Sequence, residues 1–124
     1  MPTKIKTNNA PQAIGAYSQA VVKNDMLFVS GQLPINPDTN KMSDNIEIQT
    51  EQSLKNIQSI LQASDMNLDN IVKNTIYVTS LEHADQINKV YGSFFETLEP
   101  ARAMVGVKEL PKNASIEIES IAMK

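Results

Sequence analysis

From Ser115 to Met123 the chain alternates with a strict period of two, the signature of a half-buried strand. Ile116, Ile118, Ser120 and Ala122 fall on one face, and Glu117, Glu119, Ile121 and Met123 on the other. The first face suits a core. The second mixes two carboxylates with two apolar side chains. A solvated face has no use for Ile121 and Met123, and a closed core would leave two glutamates unpaired. This pattern predicts a face partly covered by another subunit, with a carboxylate reaching a cleft.

The rest of the chain supplies a sheet for that strand and helices to cover it. Tyr17 to Val22 and Met26 to Leu33 read as two strands around a turn at Lys23-Asn24-Asp25. Pro34 and Pro37 with Asn36, Asp38, Thr39 and Asn40 mark a loop. Leu54, Ile57, Leu61 and Ser64 then recur at helical steps, widened by Ile60, with Asp44 and Glu47 near the favourable N-terminal end of the dipole. Ile71 to Thr79 alternates again. Ser80 is placed to cap a second helix with the stripe Ala84, Ile87, Tyr91, Phe94 and Leu98, ended by Pro100. Ala101 to Val107 alternates once more, and Leu110-Pro111-Lys112-Asn113 turns the chain into the last strand. There is no repeat, low-complexity segment or linker, so one domain is expected over residues 1–124. The expected class is α+β, in two layers: a mixed sheet of about six strands with both helices on one face.

Residue counts remove much chemistry. Without cysteine there is no disulfide, thiol nucleophile or Cys-ligated metal site. His83 is the single histidine, placed in the first turn of the second helix and expected to be solvated, and no G-x-S-x-G elbow supplies a triad serine. No metal and no cofactor is expected. The net charge of −3 and the scattered lysines give no basic–aromatic track, so nucleic acid is not an expected partner. No apolar run reaches the roughly 20 residues of a membrane span, and no secretory h-region is visible, which predicts a cytoplasmic protein without membrane contact.

Three positions stand out against this background. Arg102 is the sole arginine, and its planar guanidinium can hold a carboxylate through two parallel hydrogen bonds, which lysine cannot imitate. Asn88 lies between Ala84 and Tyr91 on the inward arc of the second helix, where a buried amide would tie down a loop or point into a site. In Ser30-Gly31-Gln32 a glycine permits close approach to backbone N–H groups, or equally marks a bulge or a tight exit turn.

Over roughly Asn8 to Met123 the chain resembles the RidA (reactive intermediate deaminase, YjgF-type) family. The resemblance runs through Ile14-Gly15-Ala16-Tyr17, Phe28-Val29-Ser30-Gly31-Gln32-Leu33-Pro34 and Val90-Tyr91 to Phe94-Phe95. It is densest at Pro100-Ala101-Arg102-Ala103, at Leu110-Pro111-Lys112 and at Ile116-Glu117-Ile118-Glu119-Ser120-Ile121-Ala122. It implies a chorismate-mutase-like fold, a homotrimer with clefts between neighbouring subunits, and hydrolytic deamination of 2-enamine and 2-imine acids such as 2-aminoacrylate, 2-iminopropionate and 2-iminobutyrate. By the same resemblance Arg102 holds the substrate carboxylate and Glu119 handles a water molecule. Tyr17, Ser30, Gly31 and Asn88 line the cleft, and the backbone at Met104 helps to bind the carboxylate. The chain departs from the pattern at Ala16, where proline is usual, at Ala103, where serine or threonine is usual, and at Met104, where cysteine is frequent. Two other functions stay open: a non-catalytic regulatory protein that binds small carboxylates, and the RNA-cleaving translation inhibitor named by another family label.

Overall fold

Two helices lie on one face of a six-stranded sheet in the computed structural model, which describes residues 2–124. The strands in chain order are β1 (Thr3–Ile5), β2 (Ala20–Lys23), β3 (Met26–Gln32), a small separate hairpin of β4 (Ile35–Asn36) and β5 (Lys41–Met42), then β6 (Ile71–Val78), β7 (Ala101–Gly106) and β8 (Ile116–Met123). The helices are α1 (Ile46–Gln62) and α2 (Ala84–Phe94). The main sheet runs β1-β2-β3-β8-β6-β7; only β6 and β7 are parallel, joined by the α2 crossover that a parallel pair requires. The expected α+β class and mixed sheet are borne out.

Local chemistry explains most of the boundaries. Asn45 is extended and its side chain accepts a hydrogen bond from Ile48 N–H (3.0 Å), starting α1, and Glu47 follows in the first turn. Ser80 caps a short 3-10 turn, Leu81–His83, that leads into α2 rather than α2 itself. The β2–β3 hairpin closes over Asn24 and Asp25, with Asn24 at positive φ. β2 begins three residues later than expected because buried Gln19 serves the loop before it. Its amide donates to the carbonyls of Thr7, Ala10 and Pro11, and its carbonyl accepts from Thr7 N–H.

The second helix is shorter than its apolar stripe predicts. It stops at Phe94, and Leu98 is 68% exposed. Continuing it would place Glu96 and Glu99 at the negative end of the dipole, and Glu99 precedes a proline that disfavours helical backbone. Phe95 turns inward instead and stacks against Tyr91, with ring centroids 4.7 Å apart.

The core sits between the helices and one face of the sheet. Leu27 and Val29 from β3, Ile76 and Val78 from β6, and Ile116, Ile118 and Ala122 from β8 pack with Leu54, Ile57, Ile60 and Leu61 of α1 and Ile87 of α2. No described secondary structure of this chain covers the opposite face, which carries Glu117, Glu119 and Ile121 half-buried and Phe28 and Met123 exposed. The predicted division of β8 into two faces holds residue by residue.

Candidate functional site

On the open face, pairing of β6 with β8 sets Thr75 opposite Glu119 and Tyr77 opposite Glu117. The Tyr77 hydroxyl reaches diagonally and donates to Glu119 Oε1 at 2.5 Å. Glu119 lines a shallow groove of about 180 Å³ together with Phe28, Lys73, Thr75 and Ile121. Burial, reinforced by the Glu119 charge, raises the Glu117 carboxyl above the usual carboxylate range. The Tyr77 phenol is also raised, first because Glu119 holds its proton and then through burial.

A bulge brings β3 to these carboxylates. Val29 pairs with Ser120 and Gln32 with Ile118, so Ser30 and Gly31 together oppose Glu119. A Cβ on Gly31 would lie 2.8 Å from Glu117 Cδ, which is why the strand carries no side chain there. The Ser30 hydroxyl donates to Ser18 O (2.6 Å) and Ser30 N–H to Gln19 O (2.9 Å), fastening the loop that carries Tyr17 to β3. Tyr17 itself is 53% exposed, with its ring beside Gly15, whose φ of 120° is open to glycine alone. Of the two readings of Ser30-Gly31-Gln32, the bulge is the one realised.

Arg102 belongs to a different cluster. Parallel pairing sets it beside Asn74 and Met104 beside Ile76, on the helix side of the sheet. Its Nη1 donates to Asn88 Oδ1 at 2.7 Å, and its guanidinium carbon lies 4.9 Å from the centre of the Tyr91 ring. Behind them runs a buried chain: the Ser120 hydroxyl donates to Asn74 Oδ1, and Asn74 Nδ2 donates to the Tyr91 hydroxyl (3.0 Å). Burial is the main reason the Tyr91 phenol is raised. Asn88 is exposed, contrary to the inward position expected for it; the 3.6-residue step takes it past the buried edge defined by Ile87 and Tyr91. Met104 is half-buried and packs against the core.

Within one chain, then, the expected residues fall into two groups. Glu119, Gly31 and Ser30 gather at the β3–β8 seam, with the Tyr17 loop attached. Arg102, Asn88 and Met104 gather along β7 and α2. The sheet separates Arg102 from Glu119. The sequence reading missed Tyr77, Lys73 and Thr75 around Glu119 and Asn74 behind Arg102. Tyr77 was visible as the polar-tipped member of an alternating strand, but which carboxylate it meets depends on interstrand register. Among the described residues no group of His, Asp and Glu is arranged to hold a metal ion.

These features define a two-layer α+β protein with polar clusters on both sides of its sheet. The family model described as Endoribonuclease L-PSP matches residues 7–124, and the chain belongs to this family, that of the Rid proteins. It is 44% identical over 119 residues to Reactive Intermediate Deaminase A, chloroplastic, of Arabidopsis thaliana, covering 95% of this chain and 64% of that one. The crystal structure of the Rid-family protein YyfA from Yersinia pestis matches with a TM-score of 0.97 and 46% identity over 100% of both chains. That of E. coli TdcF with bound serine matches with a TM-score of 0.96 and 38% identity over 98% of each. The chorismate-mutase-like fold is common to them.

Proposed function

We propose that this protein hydrolyses 2-imino and 2-enamino acids, such as 2-iminopropionate with its tautomer 2-aminoacrylate and 2-iminobutyrate, to 2-oxo acids and ammonia. The site is shared between copies of the chain: one subunit supplies Glu119, Gly31, Ser30 and Tyr17, and its neighbour supplies Arg102, Asn88 and the backbone at Met104. The observation that carries this reading is the separation of Arg102 from Glu119 by the sheet, beside an open face bearing Phe28, Ile121 and Met123. Two groups that must act on one small molecule can then meet only across a subunit boundary. A cyclic homotrimer closes such heterologous contacts.

The chemistry suits these residues. An iminium carbon beside a carboxylate is already electrophilic, so hydrolysis needs positioning and proton transfer rather than a covalent nucleophile. Arg102 takes the carboxylate with the N–H groups that Asn88 leaves free, a charged pairing worth about 1.5–3 kcal/mol. Glu119 accepts a proton from water as its oxygen attacks C2. Glu119 passes that proton to nitrogen and takes the remaining proton from the carbinolamine hydroxyl; the oxygen electron pair forms the C2 carbonyl, the C–N bond breaks and ammonia leaves. The name of the Arabidopsis relative supports this reaction class. The serine bound to TdcF presents a carboxylate and a C2 nitrogen, the two groups a 2-imino acid also carries. A net charge of −3 and a single arginine favour a small anion over RNA as the substrate.

The test couples a serine or threonine dehydratase, which releases the imine, to detection of 2-oxo acid. Faster 2-oxo acid formation with the protein present supports the proposal. Binding of 2-oxo acid with no acceleration would make the protein a carboxylate sensor instead.

A further inference from the structure

We infer that Tyr91 is a positioning residue for Arg102, fixing the guanidinium in place before a carboxylate arrives. The inference rests on the proposed reading that Arg102 grips the substrate carboxylate, and it needs nothing from the other half of the site. On the helix side of the sheet, β8, β6 and β7 line up in rows: Ile116, Val78 and Gly106, then Ile118, Ile76 and Met104, then Ser120, Asn74 and Arg102. The first two rows are apolar. The third is polar, although Ser120 and Asn74 are buried. It ends at the one arginine of the chain. Tyr91 of α2 meets this row twice: its hydroxyl accepts from Asn74 Nδ2 (3.0 Å), and its ring centre lies 4.9 Å from the guanidinium carbon.

Packing alone would fill this row with apolar side chains, since a buried hydroxyl or amide is costly unless it is paired. Here the groups are paired in series: the Ser120 hydroxyl donates to Asn74 Oδ1, and Asn74 Nδ2 donates to the Tyr91 hydroxyl. This chain, with the Phe95 ring 4.7 Å from that of Tyr91, holds the Tyr91 ring in one orientation. Arg102 is long and exposed, and unrestrained it would sample many rotamers. Two contacts restrain it, the Tyr91 ring beside the guanidinium and Asn88 Oδ1 accepting from Nη1 at 2.7 Å. Neither takes a hydrogen from Nε or Nη2, and among the described residues no carboxylate pairs with Arg102. The Nε–Nη2 edge therefore keeps both donors of a two-pronged grip on an incoming carboxylate.

Tyr91→Phe removes the hydroxyl that ends the buried chain and keeps a ring. Because Arg102 is the sole arginine, its Nε–H gives one side-chain 15N signal, and the relaxation of that signal reports picosecond-to-nanosecond mobility directly. Arg102 should be restrained in the ligand-free wild type and looser in Tyr91→Phe. It should be loosest in Tyr91→Leu, which removes the ring as well. Saturating pyruvate, a 2-oxo acid, should restrict the side chain again in Tyr91→Phe. Calorimetry should show pyruvate bound about 3- to 10-fold more weakly by Tyr91→Phe, as for losing the pre-ordering of one long side chain. A tyrosine with a purely structural role would lower the unfolding temperature without moving either readout. Equal Arg102 mobility in the free wild type and Tyr91→Phe, or equal pyruvate affinity, overturns the inference. Should Tyr91→Leu fail to fold, the phenylalanine variant alone decides. A protein that behaves as expected here yet hydrolyses no imine overturns the deaminase reading alone.

Discussion

Arg102 is held by two partners of different kinds, the Asn88 carbonyl at one nitrogen and the Tyr91 ring below its plane. Lysine can keep the charge but not the hydrogen bond, the stacking and a two-pronged grip on carboxylate together. Arg102→Lys is expected to lose about tenfold or more in kcat/KM for the imine while unfolding at nearly the wild-type temperature, since Arg102 is exposed. Near-normal turnover would show Arg102 to be a surface cation only. Glu117 makes a prediction of the opposite kind. Its carboxyl is raised in the folded protein, so the folded state binds that proton more tightly than the unfolded chain. Stability is therefore lost as pH rises from the ordinary carboxylate range through the raised value. Glu117→Gln should raise the unfolding temperature at neutral pH, and the advantage should vanish in acid below the ordinary carboxylate range. Thermal unfolding of both proteins across that window measures it, and a pH-independent difference would contradict the assignment.

At the scale of elements, the buried Ser120–Asn74–Tyr91 chain links β8, β6 and α2 and backs the seat of Arg102. Asn74 is fully buried, and replacing it with an apolar residue leaves both hydroxyls short of a partner. Asn74→Leu, close in size, should destabilise the protein by about 1–3 kcal/mol in denaturant unfolding. It should also weaken 2-oxo acid binding, because the Tyr91 ring under Arg102 loses its anchor. Destabilisation with unchanged binding would make the chain a structural tie alone. The β3 bulge is the other element that matters, since without the extra residue Gly31 would not meet Glu117 and the Ser30 hydroxyl would not reach the Tyr17 loop. A surface pair such as Lys55–Glu51 has no comparable influence, because its exposed charges are screened by water.

For the whole molecule, a sheet with one face closed by helices and the other left open explains how two polar clusters can be built on its opposite sides, one over β3, β8 and β6 and the other over β8, β6 and β7. If each site takes Glu119 from one subunit and Arg102 from the next, two inactive variants can repair one another. Arg102→Lys and Glu119→Gln, co-refolded in equal amounts, should recover about a quarter of wild-type imine hydrolysis. One in four interfaces then joins an intact Glu119 to an intact Arg102. Each variant alone should stay near background, and sedimentation should give a trimer for all three preparations. No recovery on mixing would place both residues of a working site in one chain.

The sequence by itself determined the class of fold, because alternation in β6, β7 and β8 and the helical stripe of α1 are local patterns set by backbone geometry. It also determined the two faces of β8, and singled out Arg102 and Glu119 as unusual through the absence of other arginines and the mixed character of their surroundings. Weak local signals misled it. Three residues of β1 are too short to show a period, and the stripe of α2 ran on to Leu98 where end charges and a following proline stop the helix. Asn88, expected to be buried, is exposed at the edge of α2, although its amide does meet Arg102. Only the tertiary structure decided which side chains meet. Register across β6 and β8, and the extra residue in β3, are long-range outcomes of packing, and a shift of one residue would exchange every partner. They give Tyr77 to Glu119 and Gly31 to Glu117, while the packing of α2 on the sheet gives Asn74 to Tyr91 and the β6–β7 register sets Arg102 on the far side of the sheet from the carboxylates.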